Sequence, residues 1–181
     1  MTPLSSSGIN TQTRGGLGRF IKLRRAISSV TTLICFDMDS TLVDAETLDM
    51  IASEAGVETS VQEITSQAMN GELCFEEAVR KRLALLKGFP LKRIRSMTLP
   101  LMPGAYELVQ TLREKGYITG IISGGFDLFA EELAKKLSLD FFITNKLYTE
   151  DGRLSGDVKL QVNNNKDKLL EDTRKAFSAK R

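Results

Sequence analysis

An apolar, β-branched run that ends at an acid, VTTLICFD at residues 30–37, constrains the fold of this chain most. The run lacks the apolar spacing of a helix, which is typical of a buried strand in a parallel sheet. Two similar runs, YITGIIS at 117–123 and DFFITN at 140–145, alternate with segments of helical spacing. This alternation predicts an open, parallel α/β sheet with right-handed crossovers.

Four predicted helices separate the first strand from the second, with no strand pattern between them. They cover 45–56, 61–71, 75–90 and 91–97 and predict a compact helical insert. The remaining predicted elements are helices at 105–116 and 126–139, a hairpin at 147–158 turning at Asp151-Gly152, and a helix at 164–181. The predicted division is a leader at 1–30, a core at 31–45 and 100–181, and the insert at 46–99.

The residue types present limit the chemistry. The 181 residues include no histidine, which excludes Ser-His-Asp and Cys-His mechanisms and imidazole metal ligands. Cys35 and Cys74 lie far apart and form neither a CxxC pair nor a disulfide framework, so we expect a reducing compartment. Acids, bases and nucleophiles must come from Asp, Glu, Lys, Ser, Thr, Tyr or Cys.

The leader, residues 1–30, carries five basic residues and no acidic residue. This composition suits a disordered segment, and it is also compatible with an organelle transit peptide or with binding to nucleic acid or membranes. The region 31–158 is net acidic, and no stretch approaches the roughly 20 apolar residues of a membrane span. We expect a cytoplasmic monomer or homodimer without a nucleic-acid or membrane partner.

Two acids follow the first strand. Asp37 ends it, and Asp39 points the same way if the chain stays extended. Like charges this close repel unless a cation or a proton lies between them, and carboxylate oxygens at a strand end suit Mg²⁺. The alternative is a strand followed by a turn in which Asp is favoured for its geometry alone.

Two further elements could bind an anion. The segment IISGGF at 121–126 offers the Ser123 hydroxyl and glycine N–H groups, including that of Gly124, at the end of another strand. Lys166, or alternatively Lys168, lies near the start of the last helix, where an ammonium group could meet a phosphate. Ligands of such sheets bind beyond the carboxyl ends of the strands, where Asp37 and Ser123 both fall.

Together these elements resemble the haloacid dehalogenase (HAD-like) superfamily. Its motifs are an apolar strand followed by Asp-x-Asp-x-Thr, here DMDST at 37–41, a strand-end Ser or Thr, here Ser123, and a Lys, here Lys166. The segments FDMDSTLVDAET, AMNGELCFEEAVRKRLALLKG, IISGGF and DGRLSGDV are similar to those of the phosphoserine phosphatase family within it. The resemblance runs from about 31 to 178 and implies a three-layer Rossmann-like core with a small four-helix cap.

The resemblance implies Mg²⁺-dependent hydrolysis of O-phospho-L-serine, the last step of serine biosynthesis, through an aspartyl-phosphate. Asp37 is the expected nucleophile and Asp39 the expected general acid and base. The Asp37 carboxylate and the Asp39 backbone carbonyl are the expected Mg²⁺ ligands, and Ser123, Gly124 and Lys166 are expected to hold the phosphoryl group.

The insert supplies the residues expected to bind the serine portion. By the resemblance, Glu46 binds the amino group, Arg82 binds the carboxylate, and Met69 and Phe75 line the pocket. Arg82 also falls inside the apolar stripe of its helix, where an unpaired cation would cost several kcal/mol to bury. An arginine that reaches solvent, or pairs with a protein acid, is the alternative.

One family motif has no counterpart here. The family continues past its lysine helix to a strand ending in Gly-Asp-Gly-x-Asn-Asp, whose acids complete the Mg²⁺ site, and we expect a core incomplete at its C-terminus. The alternatives to the implied activity are a phosphatase or phosphotransferase for another small phosphorylated metabolite, and an inactive remnant that binds phosphate or a partner.

Overall fold

The computed structural model describes residues 19–20 and 32–179, with the backbone alone at 19–20. The strands of its sheet are β1 (Arg19–Phe20), β2 (Leu33–Phe36), β3 (Ile118–Phe126) and β4 (Phe141–Glu150), in the spatial order β1-β4-β3-β2. The strands β2, β3 and β4 pair in parallel, as predicted. The fifth strand, β5 (Arg153–Lys159), forms the predicted hairpin with the end of β4.

The predicted fold class is confirmed, with one correction to the sheet. The two residues of β1 pair antiparallel with Phe141 and Phe142, so the sheet is mixed. This strand falls inside the predicted disordered leader. The other residues of the leader lie outside the described part of the chain.

Seven helices lie within residues 32–179, four of them in the insert. They are α1 (Thr47–Ala55), α2 (Glu58–Met69), α3 (Phe75–Leu85), α4 (Leu91–Ser96), α5 (Ala105–Glu114), α6 (Asp127–Leu137) and α7 (Lys166–Ala176). The prediction that the last helix continues to residue 181 is wrong at 177–179. Ser178 has a positive φ of 52°, and the Ser178 and Ala179 N–H groups donate to Lys175 O and Arg174 O, which ends the helix. Phe177 is buried, and its ring centroid lies 5.3 Å from that of Phe141.

Side-chain alternation along the strands divides the core between the two faces of the sheet. Ile121 of β3 and Phe142 of β4 belong to the larger apolar cluster, which also contains residues of the insert, α5 and α6. Ile122 and Phe141, one residue away on each strand, belong to a second cluster with Phe177 beyond α7. Helices therefore cover both faces, which gives the expected three layers.

The insert joins the core at two places. Where the chain enters and leaves the insert, the Asp44 N–H donates to Pro100 O at 2.9 Å and the Met102 N–H donates to Leu42 O at 3.0 Å. We call this pair of segments, 42–44 and 100–102, the neck. The boundaries 46 and 99 remain predictions.

The second place is the β4–β5 hairpin. The Gly88 N–H donates to Leu154 O at 2.8 Å, and the Leu154 N–H donates to Phe89 O at 2.9 Å. Because Gly88 and Phe89 follow α3, backbone hydrogen bonds join this part of the insert to the hairpin. Among the described residues, no helix is long and apolar enough to cross a membrane.

Candidate active site

A pocket of about 240 Å³ lies between the carboxyl ends of β2 and β3 and the helices α1 and α3. It contains most of the residues predicted from the sequence, from both the core and the insert. Eight of them line it: Asp37, Asp39, Glu46, Phe75, Arg82, Ser123, Gly124 and Lys166. The structure thus brings the predicted phosphate-binding and serine-binding residues into one cavity.

Asp37 follows β2 and has three hydrogen-bond partners. Its Oδ1 accepts from the Met38 N–H at 2.8 Å, its Oδ2 pairs with the Lys166 ammonium, and the Ser123 hydroxyl also bonds the carboxylate. Burial would raise the pKa of Asp37, but these bonds and the charge of Lys166 outweigh it and lower the pKa below its usual value. Asp37 is therefore ionised at neutral pH.

Asp39 reaches the same pocket through a turn and not through extended chain. The N–H groups of residues 41, 42 and 43 all converge on Met38 O at 3.0–3.3 Å, and Ser40 has a positive φ of 52°. The Oδ1 of Asp39 accepts from the Thr47 N–H at 3.1 Å, at the start of α1. The predicted proximity of the two acids holds, but a tight turn produces it.

The pKa of Asp39 shifts in the direction opposite to that of Asp37. Burial raises it to about 6, the hydrogen bonds from Thr47 oppose this rise, and the charges of Glu46 and Asp37 add to it. Two neighbouring carboxyl groups with separated pKa values are suited to different roles, one as an ionised group and one as a proton donor.

An irregular stretch of β3 forms the anion-binding side of the pocket. The pairing of β3 with β4 shifts register between Ile122 and Phe126, and Ser123, Gly124 and Gly125 lie in this stretch. The Gly125 N–H donates to Ser123 Oγ at 3.1 Å. A Cβ on Gly125 would collide with Met38 and lie 2.8 Å from Asp39 Oδ2, so glycine is required for this close approach.

Lys166 is the first residue of α7, and its ammonium pairs with Asp37 at the rim of the pocket. Lys168 is exposed and does not line the pocket. Of the two lysines considered from the sequence, the structure therefore brings Lys166 to the carboxylates.

The insert contributes Glu46, Phe75 and Arg82, but it does not contribute Met69. Glu46 Oε1 accepts from the Ser40 hydroxyl at 2.8 Å. Met69 is the last residue of α2, and its side chain is 84% exposed outside the pocket. The turn that follows α2 leaves this side chain in solvent, so the expected lining role of Met69 has no support in this arrangement.

Arg82 is half-buried in the wall of the pocket. Its Nε donates to Ala78 O at 3.3 Å and its Nη1 donates to Thr65 Oγ1 at 3.4 Å. Burial lowers its pKa, and the charges of Asp49 and Glu46 partly offset this effect. Within residues 32–179 no carboxylate forms an ion pair with Arg82, so its guanidinium has donors left for an anion.

Several lining residues were not identified from the sequence. Leu48, Val79 and Phe126 complete the wall, together with Gly125 of the predicted anion-binding segment. A further residue, Asn145 near the middle of β4, is fully buried. Its side chain forms hydrogen bonds with the backbone of Gly124 in β3 and of Gln161 before α7. Its sequence signal was a polar residue after the apolar run FFIT, at the end of a parallel strand.

The donor set at the pocket suits a hard divalent cation. Asp37 and Asp39 place two carboxyl groups beside a space that a phosphate can enter, and Mg²⁺ is bound in proteins through one or two carboxylates together with water and phosphate. In the described part of the chain, no group of three or more acidic or thiol side chains could hold a metal ion. The residues present therefore fit Mg²⁺ through the Asp37 carboxylate and the Asp39 backbone carbonyl.

The strand-end carboxylates, the glycine loop and the lysine define a hydrolase of the α/β class that acts on phosphate groups. Residues 31–174 match the model of the haloacid dehalogenase-like hydrolases. The chain belongs to this family, a family of hydrolytic enzymes whose phosphatases generally depend on a metal ion.

Phosphoserine phosphatases of several organisms are similar to this chain. That of Methanocaldococcus jannaschii is 45% identical over 143 residues, covering 77% of this chain and 68% of that protein. That of Archaeoglobus fulgidus is 48% identical over 133 residues, covering 72% of this chain but 38% of that protein. The chain thus spans about two thirds of one relative and well under half of the other.

Solved structures of phosphoserine phosphatases are also similar to this chain. A phospho-aspartyl intermediate analogue of phosphoserine phosphatase has a TM-score of 0.75 at 41% identity, covering 84% of this chain and 75% of that chain. A substrate-bound phosphoserine phosphatase complex has a TM-score of 0.75 at 39% identity, with the same coverage of both chains.

Proposed function

We propose that the chain hydrolyses O-phospho-L-serine to L-serine and phosphate in the presence of Mg²⁺. The observation that carries the proposal is the pocket itself, in which an ionised carboxylate and a carboxyl group of raised pKa face one cavity. An arginine that forms no ion pair with a carboxylate of residues 32–179 lines the same cavity. The cavity is of a size suited to a small phosphorylated molecule. The similarity to phosphoserine phosphatases supports the same substrate.

In the proposed first step, an oxygen of Asp37 attacks the phosphorus atom and the bond from phosphorus to the serine oxygen breaks. Asp39 gives its proton to the departing oxygen, so serine leaves as the neutral alcohol. A pKa of about 6 leaves Asp39 partly protonated near neutral pH, which suits this transfer. The product on the protein is an aspartyl-phosphate.

In the second step, the Asp39 carboxylate takes a proton from water, and the resulting hydroxide attacks the phosphorus. Phosphate leaves and the Asp37 carboxylate is restored. Lys166 pairs with Asp37 in this structure and is placed to transfer its contact to a phosphoryl oxygen, while Ser123 and Gly124 donate to the others. Mg²⁺ held by the Asp37 carboxylate and the Asp39 backbone carbonyl supplies charge neutralisation at the phosphoryl group when bound.

In this proposal, residues of the insert select the substrate. Glu46 provides a carboxylate for the substrate ammonium, and the free donors of Arg82 provide a bidentate partner for its carboxylate. Phe75 lies close to Gly124 and covers the phosphate-binding loop: a Cβ on that glycine would be 3.4 Å from Phe75 Cζ.

The test is covalent trapping combined with substrate choice. With Mg²⁺ and ³²P-phosphoserine, we expect label on the wild-type chain and none on Asp37→Asn, and we expect phosphoethanolamine, which lacks the carboxylate, to react at least about 10-fold more slowly. Equal rates for the two substrates would contradict the proposal that Arg82 binds the substrate carboxylate.

A second candidate is a chain that binds phosphate without turnover. It is favoured by the observation that, within residues 32–179, no group of three or more acidic or thiol side chains could hold a metal ion. Binding of phosphate without any labelled adduct at millimolar Mg²⁺ would support this candidate over catalysis.

A further inference from the structure

The side chain of Asn145 is a buried polar group beside the pocket with hydrogen bonds on both sides of its amide. It is 0% exposed and lies opposite Phe126 in the pairing of β4 with β3. Its amide makes three hydrogen bonds of 2.8–2.9 Å, one as a donor and two as an acceptor. All three reach backbone groups in two segments that carry partners of Asp37.

The donor side of the amide fixes the glycine loop. Asn145 Nδ2 donates to Gly124 O at 2.8 Å. Because a trans peptide unit directs its C=O and N–H to opposite sides, this bond turns the Gly125 N–H away from Asn145. The Gly125 N–H donates to Ser123 Oγ, and the Ser123 hydroxyl bonds Asp37. Asn145 thereby orients the donors on the β3 side of the pocket.

The acceptor side fixes the segment that leads to Lys166. Asn145 Oδ1 accepts from the Gln161 N–H at 2.8 Å and from the Val162 N–H at 2.9 Å. Asn165, the residue before α7, donates from its side chain to Gln161 O at 3.2 Å. The position at which Lys166 meets Asp37 therefore depends on a backbone that Asn145 holds.

We propose that Asn145 is a positioning residue that sets the spacing between the Ser123–Gly125 loop and Lys166, and so the fit of the pocket to a phosphate group. The inference rests on the proposed function, because it names how the phosphate-binding half of that site is held. An amide is required, since one face must donate and the other must accept. A carboxylate at this position would place an acceptor against Gly124 O.

Asn145→Asp tests this role with almost no change in shape. At pH 8 we expect the affinity for inorganic phosphate, measured by calorimetry at fixed Mg²⁺, to fall at least about 10-fold relative to wild type. As the pH falls, the introduced carboxyl group gains a proton that can donate to Gly124 O. The ratio of variant to wild-type affinity should then recover toward one.

Ile143→Val is the matched control, because Ile143 is buried two residues earlier on β4 and belongs to the second core cluster. It should lower stability and leave the phosphate affinity unchanged at every pH. If Asn145→Asp does not fold, an NMR titration of the wild-type chain with phosphate provides the readout. The Asn145 side-chain amide and the Gly125 N–H should then shift together.

The outcomes separate the two proposals. If phosphate binds the wild-type chain and Asn145→Asp equally well, the inference alone is overturned. The same holds if the ratio of variant to wild-type affinity does not depend on pH, or if the NMR signal of the Asn145 amide does not shift when phosphate binds. No phosphate binding to the wild-type chain overturns both the inference and the proposed function.

Discussion

At the scale of single residues, the two carboxyl groups of the pocket have different surroundings, and their pKa values shift in opposite directions. Asp37 has an ammonium, a hydroxyl and a backbone N–H around its carboxylate, and its pKa falls. Asp39 is more deeply buried and faces the charges of Glu46 and Asp37, and its pKa rises to about 6. The difference follows from the turn at Met38, which places one group toward Lys166 and the other toward the start of α1.

The raised pKa of Asp39 predicts a pH-dependent gain in stability for Asp39→Asn. The unfolded chain releases this proton near pH 3.8, whereas the folded chain retains it up to about pH 6. Ionisation therefore costs stability, and this cost grows from pH 3.8 to 6 and is complete above pH 6. In EDTA at pH 8, Asp39→Asn should unfold in urea with a free energy about 1–3 kcal/mol above wild type. The gain should shrink to about a third of that value at pH 4.5, and an equal gain at both pH values would contradict the assignment.

Gly125 predicts a second residue-scale effect, on activity. A methyl group there meets Met38 and comes within 2.8 Å of Asp39 Oδ2, so Gly125→Ala must displace the proposed proton donor. We expect kcat/KM for phosphoserine to fall about 100-fold or more. In Gly124→Ala the methyl group has an ordinary contact of 3.4 Å with Phe75, and its loss should stay within about 10-fold. Similar losses in both variants would argue against a special role for Gly125.

At the scale of secondary-structure elements, two of the three glycines of β3 are required for unrelated reasons. Gly125 serves the pocket, whereas Gly120 lies on the part of β3 that pairs with β2 and with Phe141 of β4. The Phe141 ring occupies the space that a Cβ on Gly120 would take. One strand thus combines a packing constraint in its centre with a functional one near its end.

Gly120→Ala should destabilise the fold through this packing constraint. The Phe141 ring is almost fully buried and packs against Phe177, so it has little freedom to move. Overpacking of this kind costs about 1–3 kcal/mol, measured as the free energy of unfolding in urea. In a Phe141→Leu background the same substitution should cost clearly less, because the two positions are in contact. Equal costs in the two backgrounds would show that the strain lies elsewhere.

The elements themselves could largely be predicted from the sequence, because apolar periodicity decides them locally. The four helices of the insert, the three parallel strands and the hairpin turn at Asp151-Gly152 are all present. Some helix ends could not be predicted: α7 ends with Ser178 in the left-handed conformation, and the sequence has no glycine there to mark it. The pairing of Arg19–Phe20 with β4 likewise leaves no periodic signal in two residues.

The residues of the candidate site that belong to a sequence motif could be predicted. Those whose position depends on tertiary packing could not. Asp37 and Asp39 follow β2, Lys166 begins α7 and Ser123 lies in the irregular last part of β3. These motif residues converge on one pocket, as parallel topology requires. Met69 depends on how the chain turns after α2, which no local pattern reveals. The bonds of Asn145 join residues 124, 145 and 161, so they become visible only in three dimensions.

At the scale of the whole molecule, the hairpin joins the insert that carries Arg82 to the core that carries the carboxylates. Backbone bonds link Gly88 and Phe89 to Leu154, and Gly156 of the hairpin packs against α3. The position of α3 over the pocket is therefore set partly by a hairpin outside it. We therefore expect substitutions in the hairpin to change the affinity for the substrate.

Gly156→Ala tests this long-range dependence, with Gly152→Ala as its control. Both glycines have positive φ, 87° and 72°, so both substitutions pay a similar backbone cost of about 1 kcal/mol. A Cβ at 156 would also lie 3.2 Å from Lys87 Cβ and 3.6 Å from Ala84 Cα, whereas nothing lies within 4 Å of one at 152. We expect Gly156→Ala to raise KM for phosphoserine several-fold more than Gly152→Ala does. Equal KM values would separate the hairpin from substrate binding.

The neck has a consequence for how such a protein can diversify. Val43 and Leu101 form an antiparallel bridge, so the two ends of the insert lie only about 5 Å apart although the sequence between them is long. A spacing this short can be closed by a tight turn or by a different inserted module without displacing β2 or β3. We therefore expect that a foreign insert grafted at the neck can change the substrate while the carboxylates of the core keep their positions.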